Sequence, residues 1–326
     1  MRADLMDDWT LIRLLYVLIL FVFGLAAGSF LNVVIYRAPL GLSLLEPPSS
    51  CPKCGIFIAW YDNLPVAAWL VLRGKCRRCG APISWRYPAV ELLTGVLWAV
   101  EGWRLAGYGY GAATNAALGV LELFFISALV ATVFIDCEWQ IILDEISLGG
   151  AAVAVVAAPF LPALHAAETP ASFHLRHREL YDLIGAFPAW LRSLASAALG
   201  GMFGAALMLG LYFLGNVAMK GQIEKAREKD PEIDSAIGLG DVKLLACLGA
   251  FLGWKASFLI LMIGAILATL VGSAAKLASG DPAGKTGLAG LAERWRSGQS
   301  VFPLGPFLAA GAFIILFTRD GAGPPP

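Results

Sequence analysis

Two aspartates in this chain have the residue type and setting expected of catalytic groups. Asp136 ends a long apolar stretch in the sequence Val-Phe-Ile-Asp, and Asp241 follows Gly-Leu-Gly and opens another. Carboxylates inside apolar segments are costly and are a functional hypothesis by default. When two carboxyls lie close together and partly out of water, one keeps its proton while the other stays charged. Such a pair can activate water and protonate a leaving amine, which is the chemistry of an aspartyl protease.

Each aspartate also has a simpler interpretation. Asp136 could be a solvated carboxylate at a helix end, and Asp241 could be the N-cap of the helix that follows it. Asp144 is as well placed to cap a helix as to take part in catalysis, and Lys243 could pair with a carboxylate. The glycines at 238 and 240 favour close approach of an extended substrate backbone, because they carry no side chains.

Four cysteines form two C-x2-C pairs, separated by 21 residues and each followed by glycine. Tight turns of this kind aim thiolates and backbone amides at one ion, and four thiolates complete the tetrahedral shell of structural Zn²⁺. The ligands are therefore predicted to be Cys51, Cys54, Cys76 and Cys79. A closed shell leaves no place for a reactive water, so the metal is expected to organise the loop. A reduced or disulfide-linked loop is the alternative, and a reducing cytoplasm argues against the disulfide form.

Composition places these residues in a membrane protein. Of 326 residues, 58% are hydrophobic and 15% charged, and the mean hydropathy is +0.72; soluble domains are about 45–50% apolar and about 25% charged. The net charge is zero, which gives no indication of nucleic-acid binding. Because about 20 apolar residues cross a bilayer core, eight helical spans are predicted, at 11–36, 88–107, 114–136, 146–165, 188–217, 239–253, 256–277 and 301–318.

The fold class predicted is an all-α polytopic membrane protein of about eight transmembrane helices, with a small zinc-ribbon-like loop domain between the first two. Three segments follow: residues 1–36 form the N-terminal tail and first span, 37–87 the cysteine loop, and 88–326 a multi-helix membrane domain. Seven Lys and Arg residues lie in the cysteine loop, so the loop is predicted to face the cytoplasm. Both aspartates then lie at the cytoplasmic membrane boundary.

Several motifs, in order along the whole chain, resemble those of the prepilin peptidase family, the type IV leader peptidases with a Gly-x-Gly-Asp aspartate motif. Besides the cysteine pairs, these motifs are GSFLNVVIYR at 28–37, AWYDNLP at 59–65, GAPISWRYP at 80–88, ID at 135–136, GLGDVKL at 238–244 and PLGPFL at 303–308. One departure concerns 142–144, which read Ile-Leu-Asp where the family often has Ile-Pro-Asp. Without this proline, the resemblance fixes neither the geometry of this loop nor the role of Asp144.

The resemblance implies a specific activity at the bacterial inner membrane. Family members cut the basic leader from type IV prepilins and type II secretion pseudopilins after a glycine, on the cytoplasmic side. Members with the cysteine loop also methylate the new N-terminal residue with S-adenosylmethionine. By this resemblance Asp136 and Asp241 are the proteolytic pair and the four cysteines bind the metal. The acidic side chains of Glu138, Asp144 and Glu145 are predicted to attract the basic leader.

The binding site for the methyl donor is not identified by the sequence. No glycine-rich dinucleotide fingerprint follows a strand, and a loop of about 50 residues is too small for that fold. The polar candidates are Asn32, Arg37, Asp62 and Asn63. Two alternatives to the prepilin peptidase function stay open. One is a related membrane protease that acts on preflagellins or transmembrane stubs. The other is a transporter or assembly factor that uses membrane carboxylates to move ions or protons and the zinc loop to bind a partner.

Overall fold

The computed structural model describes residues 2–107, 111–165, 187–228, 235, 237–278 and 303–318. The predicted all-α fold class is confirmed: within those ranges there are helices and two isolated β-bridges but no strand. The α-helices are α1 (Arg2–Arg37), α2 (Ala67–Val71), α3 (Arg86–Leu105), α4 (Ala112–Trp139), α5 (Asp144–Ala157), α6 (Ala189–Ala218), α7 (Lys220–Arg227), α8 (Leu239–Leu252), α9 (Trp254–Ala278) and α10 (Gly305–Thr318). Short 3₁₀ turns cover Ala38–Leu40, Trp60–Asn63 and Pro162–His165.

Each of the eight predicted spans coincides with a helix, although not all of these helices are long. Four of them, in α1, α4, α6 and α9, are long and apolar enough to cross a membrane by length and composition. The helices α5, α8 and α10 have 14 residues each, or roughly 21 Å at 1.5 Å per residue, which is less than a bilayer core of about 30 Å. The span predicted at 146–165 ends early, at Ala157, because Pro159 and Pro162 cannot continue a helix.

The chain divides into two compact units, and the division falls inside α4 between Ile135 and Asp136. The three segments predicted from the sequence, 1–36, 37–87 and 88–326, stay a prediction. They were defined by their expected roles, whereas the two units are defined by how compactly their residues pack. The segment 166–187, which lies between the fourth and fifth predicted spans, is outside the described residues except for Phe187.

In the N-terminal unit, α1 and α3 pack closely along their small residues. A Cβ added at Gly28 would lie 2.6 Å from the Cα of Glu91, so only glycine allows the two backbones this approach. Nearer the other end of α3, Arg104 donates to Glu101 and to Glu122 of α4, and all three side chains are buried. Arg104 is therefore a buried partner of two carboxylates.

In the C-terminal unit, α8 is the central helix. It packs against α5, α6, α9 and α10, and ten of its 14 residues are buried. A helix that is apolar on every side suits such an enclosed position. The contact with α6 is closest at Gly249, where an added Cβ would lie 2.2 Å from the backbone oxygen of Gly200.

Replacing Gly249 by alanine should therefore separate α6 from α8. The obstacle is a backbone oxygen that no side-chain rotation can move, and overpacking of this kind costs about 1–3 kcal/mol. We expect a clear fall in the thermal unfolding midpoint of Gly249→Ala in detergent. Gly210→Ala is the matched control, because nothing lies within 4 Å of a Cβ there, and it should unfold at or slightly above the wild-type temperature. Equal midpoints for the two variants would show that this packing is not tight.

Candidate active site and metal centre

Asp136 lies in the last turn of α4 and is buried, with 5% of its surface exposed. Its Oδ2 atom has no hydrogen-bond partner among the described residues. The start of α10 approaches this oxygen so closely that a Cβ at Gly305 would lie 2.5 Å from it. The motif at 303–308 thus supplies a glycine that makes room for the carboxylate, and the unpartnered oxygen is available to a water molecule or a substrate.

Asp241 is the third residue of α8, whose N-cap is Gly238. The interpretation of Asp241 as the N-cap is therefore wrong by three positions. Its carboxylate instead accepts a hydrogen bond from the backbone N–H of Gly238, as acidic residues at the third helical position often do. This bond and the burial of the residue, with 9% exposed, hold the carboxylate in one place.

The structure brings the two predicted aspartates together within the C-terminal unit. They are separated by 104 residues along the chain, yet the charge of Asp136 acts directly on Asp241. Both carboxylates are buried away from water, and no basic side chain among the described residues is one of the groups that act on them. Two buried carboxylates that act on each other without a neutralising cation are able to share a proton.

The residues next to the two aspartates in the sequence motifs make packing contacts and ion pairs with one another. Gly240 faces the side chain of Ile142, whose Cβ would be 3.0 Å from an added Cβ, so its lack of a side chain serves packing and not substrate approach. Lys243 donates to the Asp144 carboxylate at 2.6 Å. Asp144 is the first residue of α5, whose N-cap is Leu143 and makes no side-chain cap, so Asp144 joins the starts of α5 and α8 instead of capping a helix.

Leu143 occupies the place where the family often has proline, and its backbone already has a proline conformation. Its φ of −69° matches the angle of about −65° that a proline ring imposes, so the local geometry does not depend on that ring. We expect Leu143→Pro to fold normally and to be stabilised by about 0.4–1 kcal/mol through a less flexible unfolded state. Unfolding midpoints of the two proteins test this. A lower midpoint for Leu143→Pro would mean that the Leu143 side chain or N–H contributes more than the backbone angle.

The four predicted zinc ligands converge. Their Sγ atoms all lie within 4.8 Å of one another, and those of Cys51 and Cys79 are 3.8 Å apart. Four sulfurs around Zn²⁺ at about 2.3 Å lie about 3.8 Å from each other, so this donor set fits the ion. None of the six cysteines forms a disulfide.

The two cysteine pairs have the same local structure, which explains the repeated sequence. In each, the glycine after the second cysteine has a φ near +67° and donates its N–H at 2.9 Å to the carbonyl of the first cysteine. Backbone N–H groups of Cys54 and Lys53 lower the pKa of Cys51 to about 6. Those of Cys79 and Arg78 likewise lower the pKa of Cys76. Each turn therefore favours the thiolate form of its first cysteine. The backbone N–H of Ala81 acts in the same direction on Cys79, but desolvation and the neighbouring thiols raise the pKa of Cys79 to about 11.

Two of the four polar candidates for a methyl-donor site are held by structural contacts. Arg37 donates to the carbonyls of Ser43 and Pro47, which fixes the start of the cysteine loop. Asp62 accepts two bonds from Arg77, which lower the pKa of Asp62 and tie the middle of the loop to its second cysteine pair. Asn63 is exposed, and only Asn32 is buried.

Sequence reasoning assigned no role to another polar residue of this unit, the buried Glu91 of α3. Its Oε2 accepts the backbone N–H of Val66 at 2.7 Å. Val66 is at the centre of a γ-turn closed by Ala67 N to Pro65 O, with φ +60° and ψ −51°. Such turns are rare and strained, and a β-branched residue makes this one more so, at a cost of about 1–3 kcal/mol. The signal in the sequence was a carboxylate in an apolar stretch, the same kind of signal that singled out Asp136.

Two family models match the chain. The bacterial peptidase A24 N-terminal domain covers residues 22–105, and the type IV leader peptidase family covers residues 123–273. No solved structure gives a significant match.

Several relatives named prepilin leader peptidase/N-methyltransferase resemble this chain over most of its length. The Myxococcus xanthus protein is 35% identical over 83% of this chain and 67% of its own, and the Aeromonas hydrophila protein is 32% identical over 94% and 92%. The Klebsiella pneumoniae protein is 35% identical over 73% and 85%. The ranges matched by the two family models contain the cysteine pairs and both aspartates, and the relatives are matched over most of the chain. The chain therefore belongs to the type IV leader peptidase family.

Proposed function

We propose that this chain is a bifunctional prepilin peptidase of the bacterial inner membrane. It removes the basic leader of type IV prepilins and related pseudopilins at the cytoplasmic membrane face, and it methylates the new N-terminal residue with S-adenosylmethionine. The observation that carries the proposal is the pair Asp136 and Asp241, buried and acting on each other within one compact unit. The names of its relatives agree with both activities.

In the proposed mechanism the aspartate pair shares one proton. The charged carboxylate takes a proton from water as the water oxygen attacks the scissile carbonyl carbon, and the protonated carboxylate donates to the developing oxyanion. Collapse of this intermediate breaks the C–N bond, and the leaving nitrogen receives a proton from the pair. The unpartnered Oδ2 of Asp136 is the atom best placed to hold the water.

The substrate is a chain with a basic leader followed by an apolar segment. The apolar segment lies in the bilayer beside the helices, and the leader stays in the cytoplasm near the exposed acids Glu138 and Glu145. Asp144 contributes less to this attraction than the sequence suggested, because Lys243 neutralises it. The zinc held by the four cysteines organises the loop, and S-adenosylmethionine supplies the methyl group.

An assay with the purified protein in nanodiscs tests both activities on one substrate. A prepilin is incubated with methyl-labelled S-adenosylmethionine, and mass spectrometry follows the products. We expect loss of the leader at the glycine–phenylalanine bond, followed by one methyl group on the new N-terminus. Cleavage without methylation would limit the function to the peptidase. Absence of cleavage would favour the alternative of a transporter or assembly factor, which ion-flux measurements on the same nanodiscs would then test.

A further inference from the structure

A polar cluster lies between α1 and α3 of the N-terminal unit. Its members are Asn32 of α1, with 4% of its surface exposed, and Glu91 of α3, with 8% exposed. The side chain of Ser29 also hydrogen-bonds to Glu91. The cluster is next to Val66, which lies in the cysteine loop between the two cysteine pairs. It contains neither of the two aspartates of the proposed peptidase site.

Asn32 has an acceptor atom with no internal partner. Its Nδ2 donates to the carbonyls of Gly28 and Tyr87, at 3.3 and 3.1 Å. Because two carbonyls require the NH₂ group on that side, the orientation of the amide is fixed. The Oδ1 atom is then buried without a hydrogen-bond partner among the described residues. Buried polar atoms are nearly always paired, so this oxygen calls for a donor that is not among the described residues, as a bound ligand would supply.

Glu91 has no counter-charge among the described residues. It accepts from the Val66 N–H and from Ser29, and none of the described basic side chains is among the groups that act on it. Buried carboxylates are normally paired with a cation or a metal. A carboxylate and an amide oxygen offer only acceptors, so together they suit a group that carries a positive charge and several N–H donors.

We propose that Glu91 and Asn32 form a subsite for a primary α-ammonium group in the methylation reaction. The inference rests on the proposed function, in which two reactants carry such a group: the new N-terminus of the cleaved prepilin and the amino-acid part of the methyl donor. Both present three N–H donors and one positive charge, the complement of the acceptors in the cluster. The γ-turn at Val66 aligns its N–H with Glu91 and so fixes the carboxylate from the loop side.

The test uses the full-length protein in nanodiscs, a pre-cleaved prepilin that begins with phenylalanine, and labelled S-adenosylmethionine. Glu91→Gln is the main variant, because glutamine can still accept the Val66 N–H while lacking the charge. We expect the KM of one reactant to rise at least about tenfold, since charge-assisted hydrogen bonds are about twice as strong as neutral ones. A rise for the prepilin assigns the subsite to its N-terminus, and a rise for S-adenosylmethionine assigns it to the donor.

Asn32→Leu is a second, independent variant of similar shape and should raise the same KM. Leader cleavage by each preparation reports on folding, and Glu46→Gln, in an exposed part of the same unit, is the carboxylate control that should change neither activity. Unchanged KM values in Glu91→Gln, or loss of cleavage in step with methylation in both variants, would overturn the subsite. Lack of methylation by the wild type would instead refute the proposed transferase function.

Discussion

Asp136→Asn and Asp241→Asn should each lower kcat/KM for prepilin cleavage by at least about 10³-fold, in the range that positioned acid–base groups contribute. Asparagine keeps the size of the side chain but can neither take a proton from water nor give one to the leaving nitrogen. The double variant should be hardly slower than either single one, because residues that act as a unit are not additive. Cleavage rates on a purified prepilin provide the measurement.

The control for this experiment is Asp144→Asn. Asp144 is close to Asp136 in sequence, but its side chain is 55% exposed and pairs with Lys243; exposed pairs of this kind contribute about 0–1 kcal/mol. Cleavage by this variant should stay within a few fold of wild type. If Asp136→Asn or Asp241→Asn keeps full activity while Asp144→Asn loses it, the dyad is assigned to the wrong residues.

Cys54→Ser and Cys76→Ser should each reduce bound zinc from about one ion per chain to about 0.1 or less. A serine hydroxyl is a poor replacement for a thiolate, and the regular structure of the loop is limited to short helical turns and two isolated bridges. Metal binding supplies about 10–16 kcal/mol in small zinc-dependent folds. Metal analysis and limited proteolysis within residues 37–87 measure the loss, and Cys137→Ala, outside the cluster, should retain zinc.

Loss of zinc should affect the two activities unequally. Methylation should fall strongly, because Val66 belongs to the metal-organised loop and bonds to Glu91. Cleavage should fall much less, because both aspartates belong to the other compact unit. Parallel loss of both activities in Cys54→Ser would contradict this separation, and full retention of both would show that the metal has no role in either reaction.

The sequence by itself determined the helices, the candidate metal ligands and the candidate aspartates. Apolar segments of about 20 residues form helices because lipid offers no hydrogen-bond partners to free backbone groups. The two cysteine pairs indicated their ion because thiolate number and spacing largely decide zinc chemistry. Asp136 and Asp241 stood out because a carboxylate in an apolar segment is costly wherever the helix packs. Each of these inferences depends on local composition or spacing.

Only the tertiary structure decided which residues meet. Separation along the chain does not report that Asp136 acts on Asp241, that Arg104 is buried between two carboxylates, or that Glu91 bonds to the N–H of Val66. The same limit explains the misplaced cap at Asp241, since a helix start depends on the backbone angles of Gly238 and not on residue type alone. Contacts between distant segments arise from the packing of whole helices, and no local pattern in the sequence records that packing.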